Sequence, residues 1–252
     1  MKEQSENRRA LPKFFLTMLG SLLVGGAAGF VIGMGHIFGV DLSDAAVWLD
    51  GAVYSATSWA IPVTSVLTLG GAFWLYRRAR QKVSGWDGGD ENDASEEAER
   101  LLSWSMLLSA VQLLINLFFM AAVAVYYMEK NGLPIVAEFI VSCGLVIFAQ
   151  QKAVDLTRKM NPEKRGSVYD SKFQKKWLES CDESEQRQIG QACYRAYMVT
   201  TRVCIGVWMA LVLLSMVYRI SLLSVFVLLL VWGTMQTVYT LECIRLSRKS
   251  GE

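Results

Sequence analysis

Residues 104–128 read WSMLLSAVQLLINLFFMAAVAVYYM and contain no charged side chain. A helix needs roughly 20 apolar residues to cross the hydrocarbon core of a bilayer. Lipid offers no hydrogen bonds to an exposed backbone, so an apolar stretch of this length must be helical there. This stretch therefore predicts a transmembrane helix, and it places the chain among all-α, polytopic membrane proteins.

Five further stretches of the 252-residue chain share this apolar character, although the fourth is short. Hydrophobic residues make up 53% of the sequence and charged residues only 19%, a lower charge content than is usual for a soluble protein. The remaining charges are segregated, as expected where each charge buried in lipid is costly. The six predicted spans cover about 14–38, 53–76, 104–128, 134–149, 198–218 and 222–241, and they form three hairpins with short outer loops.

The distribution of lysine and arginine predicts the orientation of these spans. With six spans, both termini and the connections 77–103 and 150–197 lie on one side. Counted to Arg202 at the cytoplasmic start of the fifth span, that side holds all of the 25 basic residues except Lys130 and Arg219. Because cytoplasmic loops carry the excess of basic residues, both termini are predicted to lie in the cytoplasm.

The two cytoplasmic connections differ in character. The 77–103 connection is an acidic segment, in which a glycine-rich turn precedes a helix start with glutamates in its first turn. The 150–197 connection is basic and amphipathic. It is too small and too polar to form an independent catalytic domain.

Three glycines in the first span, Gly25, Gly29 and Gly33, recur every four residues and share one face. Small residues at this spacing let another helix approach closely. One interpretation is packing against a neighbouring helix of the same chain. The alternative is a seam between copies in a homo-oligomer.

Polar residues are few within the predicted spans. Gln112 and Asn116 share a face of the third span, and Glu138 lies one turn into the fourth. Buried polar groups in lipid often mark a functional path, so these three residues are candidates for lining an ion or solute route. In the alternative interpretation the amides join helices, while Glu138 reaches the outer interface to meet Arg219 or Lys130.

The most distinctive stretch is cytoplasmic, KMNPEKRGSVYDSKFQKKWLESCDESEQR from Lys159 to Arg187. It predicts a short amphipathic helix that serves as a cytoplasmic interaction surface. The aromatic side chains could rest on an anionic membrane surface with the lysines towards lipid phosphates, or pack on the cytoplasmic ends of the helix bundle. The residues of this surface are the aromatic series Tyr169, Phe173 and Trp177, together with Lys172, Lys175 and Lys176.

The sequence offers little for catalysis or metal binding. It has one histidine, His36, and lacks the phosphate-loop, His-Glu-x-x-His and Gly-x-Ser-x-Gly motifs. We therefore expect no metal, no cofactor and no enzymatic activity. Nucleic acid is not an expected partner, because topology accounts for the basic clusters. The five cysteines lack Cys-x-x-Cys spacing and are predicted to be free thiols: Cys143, Cys181, Cys193, Cys204 and Cys243.

The strings NPEKRGSVYD and KKWLESCDE in the cytoplasmic stretch carry a resemblance to a known family. With the flanking spans, the chain resembles a family of uncharacterised multi-pass membrane proteins of Gram-positive bacteria, defined only as a domain of unknown function. The resemblance covers nearly the whole chain. It implies a bacterial cytoplasmic-membrane location, and it implies no activity, substrate or catalytic residue.

Three functions remain open from the sequence. The first is a non-enzymatic accessory or regulatory component of a membrane complex that acts through a protein partner or a homo-oligomer. The second is a small permease or channel that uses the polar residues of the third and fourth spans. The third is a membrane enzyme, for which the sequence provides no cluster of acids or histidines.

Overall fold

The computed structural model describes residues 43–84, 92–127, 132–217 and 222–249, together with scattered positions between 12 and 30. Within these ranges the chain is mainly helical and contains no strand. The first predicted span, 14–38, lies largely outside the described residues, as do Gly25, Gly29 and Gly33. The helices are α1 (Ser43–Ala56), α2 (Ala60–Ser84), α3 (Asn92–Tyr126), α4 (Leu133–Met160), α5 (Phe173–Glu179), α6 (Glu183–Val217) and α7 (Leu222–Lys249).

Two compact units divide the chain: Trp48–Gln191, and Met1–Val47 with Ala192–Glu252. In the first unit α2, α3 and α4 pack against one another as a three-helix bundle. In the second unit, Tyr197 of α6 stacks on Tyr239 of α7 with ring centroids 4.3 Å apart, and its hydroxyl donates to Gln236.

Four of the described helices are long and apolar enough to cross a membrane, within α3, α4, α6 and α7. The pair α1–α2 makes a fifth candidate if its two bent halves count as one span. These helices agree with the predicted all-α class, and the candidates for spans number four or five in the described part of the chain.

The second predicted span, 53–76, is divided between α1 and α2, which meet at an angle of 71°. At the break, the backbone N–H and the hydroxyl of Thr57 both donate to the Val53 carbonyl, at 3.0 and 2.7 Å. Pro62 explains why the helix restarts. Proline has no N–H to donate to the carbonyl four residues earlier, and its ring would clash with that carbonyl in a continuous helix.

Three bundle helices run well past their predicted spans into the segments assigned to the cytoplasm. Helix α2 continues to Ser84, α3 begins at Asn92 and α4 continues to Met160. Their extensions share a core of small and apolar side chains, so packing keeps them helical beyond the hydrophobic stretch. The buried members of this core are Ala79, Ala98, Leu102, Ala153, Leu156 and Met160.

Replacing Ala98 with leucine tests this core. The side chain of Ala98 is fully buried, so the added volume has no space and should cost about 1–3 kcal/mol. We expect Tm of the detergent-solubilised protein to fall by several degrees. Glu96→Leu, at an exposed position of the same helix, is the control. Equal Tm for the two variants would contradict the packing described for the helix extensions.

Candidate functional site

The two amides predicted to share a face of α3 meet in the interior of the bundle. Gln112 and Asn116 are both fully buried. The Gln112 Nε2 donates to Asn116 Oδ1 at 2.8 Å. The spacing of four residues thus brings the two side chains into direct contact, as expected on a helix.

Helix α2 provides hydroxyl partners for Gln112. The Thr68 hydroxyl donates to Gln112 Oε1 at 2.7 Å. The Gln112 Nε2 points at the hydroxyl oxygens of Thr64 and Ser65, at 3.2 and 3.0 Å. Both ends of the Gln112 amide are therefore satisfied by groups of the protein.

Helix α4 closes the network through Ser142. The Asn116 Nδ2 donates to the Ser142 hydroxyl at 2.8 Å, and the Ser142 hydroxyl lies 2.7 Å from that of Ser65. We call this set the amide network; its members are Thr64, Ser65, Thr68, Gln112, Asn116 and Ser142. It contains no charged group, and it joins all three helices of the bundle.

Sequence reasoning found the amides but missed their hydroxyl partners. Small polar residues at helical spacing were the available signal, because serine and threonine commonly bond across membrane helices. Ser105 and Ser109 continue the face of Gln112 and Asn116 and are equally buried, and the Ser105 hydroxyl donates to the Ala72 carbonyl at 2.9 Å. A polar stripe of this length along α3 could have been identified from the sequence.

Glu138, the third intramembrane candidate, stands apart from the amide network. It lies on α4 one turn before Ser142, which places the two residues on the same face. Its Oε2 atom is buried and has no hydrogen-bond partner among the described residues. Its predicted partners, Lys130 and Arg219, lie outside the described residues.

The predicted amphipathic helix forms as α5, Phe173–Glu179. Its start is organised by Asp170, whose Oδ1 accepts the Lys172 N–H at 2.9 Å and whose carboxylate also pairs with Lys176. These two hydrogen bonds lower the pKa of Asp170, the Lys176 side chain contributing most. The preceding turn requires Gly166, because its φ is +126° and an added Cβ would lie 2.9 Å from the Phe173 ring.

The six residues of the predicted cytoplasmic surface are split between two environments. Phe173 and Trp177 are half-buried, contact each other with ring centroids 5.5 Å apart, and line a cavity. Tyr169 precedes the helix and is 69% exposed. The three lysines of the surface, Lys172, Lys175 and Lys176, are exposed as well.

The cavity beneath α5 has a volume of about 500 Å³ and lies at the end of the bundle that the sequence assigns to the cytoplasm. Its walls combine apolar side chains with a few polar ones. The residues that line the cavity include Glu99, Leu102, Phe173, Trp177, Cys181 and Ile189.

Lys164 is the one described cation that is almost fully buried, with 7% of its surface exposed. Its ammonium pairs with Glu185 and lies 3.4 Å from the Cys181 sulfur. Burial alone would lower the pKa of Lys164. Hydrogen bonds to Glu185 and Cys181 outweigh that effect and raise the pKa above its ordinary value. Lys164 therefore stays charged and ties the segment after α4 to the start of α6.

Glu185 also caps α6 together with Asp182. The Asp182 Oδ1 accepts the Glu185 N–H at 2.7 Å, while a Glu185 carboxylate oxygen accepts the Asp182 N–H at 3.0 Å. This reciprocal pair is a capping box. The backbone hydrogen bond from Glu185 lowers the pKa of Asp182. None of these residues was identified from the sequence as part of a site, because Lys164 and Glu185 meet only through the tertiary fold.

The described cysteines are all free thiols, as the odd number and the spacing predict. Within the described part of the chain, no group of three or more histidine, cysteine, aspartate or glutamate side chains is placed to hold a metal ion.

Asn116→Ala should destabilise the bundle, because it removes partners from Gln112 and Ser142 without giving them new ones. Hydrogen bonds between membrane helices contribute roughly 0.6 kcal/mol on average and up to about 1.7 kcal/mol. We expect Tm in detergent to fall by a few degrees, and more than for Leu117→Ala at an exposed position of α3. If Asn116→Ala were as stable as the native protein, the amide network would not hold the bundle together.

Lys164→Ala should loosen residues 161–189, because it leaves the Glu185 carboxylate without its buried cation. We expect backbone amide exchange in this segment to accelerate about tenfold, as for a loss of about 1.4 kcal/mol. Hydrogen–deuterium exchange mass spectrometry of the solubilised protein measures the exchange rate of this segment. Lys175→Ala, which removes an exposed lysine of α5, should change exchange little. Similar exchange in both variants would show that the buried pair does not anchor the segment.

A protein family described as "Protein of unknown function (DUF3169)" matches residues 8–241. No curated protein and no solved structure matches the chain.

Proposed function

Because the chain belongs to the DUF3169 family of proteins of unknown function, we propose its function from its own geometry: a non-enzymatic accessory or regulatory component of a membrane complex. In this proposal the chain is an integral membrane protein of a Gram-positive bacterial cytoplasmic membrane. It has six spans, with both termini in the cytoplasm. The bias of lysine and arginine to one side supports that orientation.

The proposal rests on one observation: the amide network satisfies its hydrogen bonds from within the bundle. A route for ions or solutes needs polar groups that remain available to the passing species. Here the donors and acceptors of Gln112 and Asn116 are paired with one another and with hydroxyl groups of α2 and α4. In a low-dielectric interior such a satisfied network rigidifies the packing, and this favours helix association over transport.

The cytoplasmic side supplies a surface for a partner. The aromatic pair of α5 is half-buried and lines the cavity beneath the helix, while Tyr169 and the lysines of the surface are exposed. An exposed tyrosine beside basic side chains suits an acidic patch on a partner protein, since aromatic residues anchor interfaces and opposite charges steer the approach. We propose that the partner binds there.

Glu138 favours a second candidate function, a small permease or channel. Its buried carboxylate oxygen without a partner is the one intramembrane polar atom of the described bundle helices left available to a passing cation. Flux into proteoliposomes should then fall for Glu138→Gln and remain unchanged for Glu138→Asp. Equal flux for Glu138→Gln and the native protein would remove this candidate.

The accessory role is tested by mass spectrometry of what co-purifies from native membranes in mild detergent. The structure selects the variant Tyr169→Ala/Lys175→Gln, because both side chains are exposed, whereas changing Phe173 or Trp177 would disturb packing. We expect this variant to lose a stoichiometric partner. The matched control is Arg187→Gln/Tyr194→Ala, which removes an exposed cation and an exposed tyrosine of α6. A native protein that purifies alone, or equal partner loss in both variants, would contradict the proposal.

A further inference from the structure

Helices α2 and α4 form a groove that changes from apolar to basic along its length. On α2 the groove face carries Leu69 and Phe73, and then Arg80 one turn past Tyr76. Residues at spacings of three and four share a face of a helix, so these side chains form one stripe. The same change occurs on α4, where Leu145 and Phe148 are followed by Lys152 and Lys159.

The apolar half of the groove is a cavity of about 260 Å³, and its walls are mainly aliphatic and aromatic. The basic half is a cleft of about 490 Å³ lined by Arg80, Lys152, Arg158 and Lys159. Tyr76 and Lys152 line both, so the two halves are continuous. The Lys152 ammonium lies 5.3 Å from the centre of the Phe148 ring, which places a cation directly at the junction.

The basic cleft has an excess of positive charge. Asp155 is the only acidic residue among the described residues that line it, against four cations. One of its carboxylate oxygens accepts a hydrogen bond from Gln151 at 2.8 Å. Among the described residues, none of the four cations forms an ion pair. They therefore remain available to a ligand that carries negative charge.

The boundary between the halves coincides with the predicted edge of the membrane. The spans expected from hydropathy end at Tyr76 and Ala149, which are the levels at which the groove turns from apolar to basic. A ligand that fills both halves must have an acyl chain in the membrane and an anionic group at the cytoplasmic interface. Basic pockets between helices on the cytoplasmic side are suited to such headgroups.

We propose that the groove between α2 and α4 binds an anionic phospholipid. Its phosphate-bearing headgroup lies among Arg80, Lys152, Arg158 and Lys159, and an acyl chain lies along Phe73, Leu145 and Phe148. This inference rests on the membrane insertion and orientation proposed above, and it does not depend on a protein partner.

Native mass spectrometry of the full-length protein in mild detergent tests the site. Phosphatidylglycerol, cardiolipin or phosphatidylcholine is added at matched concentrations. We expect the native protein to retain an anionic lipid in preference to phosphatidylcholine. In Lys152→Gln/Arg158→Gln/Lys159→Gln we expect affinity for that lipid to fall tenfold or more, since each basic residue near an anionic headgroup contributes roughly a factor of five.

A charge-matched control distinguishes binding of lipid in the groove from general electrostatic attraction of anionic lipid to a basic protein. Arg165→Gln/Arg187→Gln/Arg195→Gln removes the same charge at exposed positions that do not line the groove, and it should leave lipid retention unchanged. Equal losses in the two triple variants, or no preference for anionic lipid in the native protein, would overturn the proposal.

The acyl-chain half has its own test. Ala149→Trp fills the apolar cavity and should reduce lipid retention, whereas Ile147→Trp, at an exposed position on another face of α4, should not. Inorganic phosphate should not displace the lipid. Displacement by phosphate, or equal retention in the two tryptophan variants, would identify a plain anion site and contradict a lipid site.

Membrane insertion, the lipid site and the accessory role can be contradicted separately. If the protein were found in the soluble fraction without detergent, membrane insertion would be wrong and the lipid site would fall with it. A protein that requires detergent, shows no partner and yet retains anionic lipid would contradict only the accessory role.

Discussion

The hydrogen-bonded pair Gln112–Asn116 is the interaction on which the described bundle depends. Lipid removes the hydrophobic drive between membrane helices, so their association needs close packing and hydrogen bonds across the interface. The pair reaches α2 through Thr68 and α4 through Ser142. Both helices are thereby set against α3, and the groove between α2 and α4 takes its shape from this arrangement.

At the end of the bundle assigned to the cytoplasm, the helices are held together by apolar packing and a buried ion pair. There the extensions of the helices have a small-residue core around Ala79 and Ala98, and the segment after α4 is held by the buried cation Lys164. The turn before α5 is also tied to α4, because Gln151 Oε1 accepts the Ser167 hydroxyl at 3.0 Å and the Val168 N–H at 2.9 Å. Tyr169 and the lysines of the cytoplasmic surface are exposed. A surface fixed in this way suits binding, because little conformational freedom remains to be lost on association.

Hydropathy and spacing predicted the helical class and the shared face of Gln112 and Asn116, because both follow from local pattern. Hydropathy alone gives no sign of the bend between α1 and α2, which lies inside an apolar stretch, but Pro62 indicates a break in the second span, and the structure has the bend just before it. Helix α4 continues past the end of its predicted span at Ala149, because packing keeps the polar residues that follow helical. The meeting of Lys164 with Glu185 depends on tertiary structure, and no sequence spacing indicates it.

The central claim is that the amide network joins the bundle helices and does not line a path for ions or solutes. Its accessibility to water tests this claim most directly. Single cysteines at Thr68 and Ser142, in a background without native cysteines, are exposed to a membrane-impermeant maleimide from each side of sealed vesicles. Because the amides and Ser142 are buried, Thr68 is half-buried and the network is internally satisfied, we expect no labelling at either position from either side. Ser171, an exposed residue just before α5, should label from the cytoplasmic side. Labelling of Thr68 or Ser142 would contradict the account and indicate a water-filled path through the bundle.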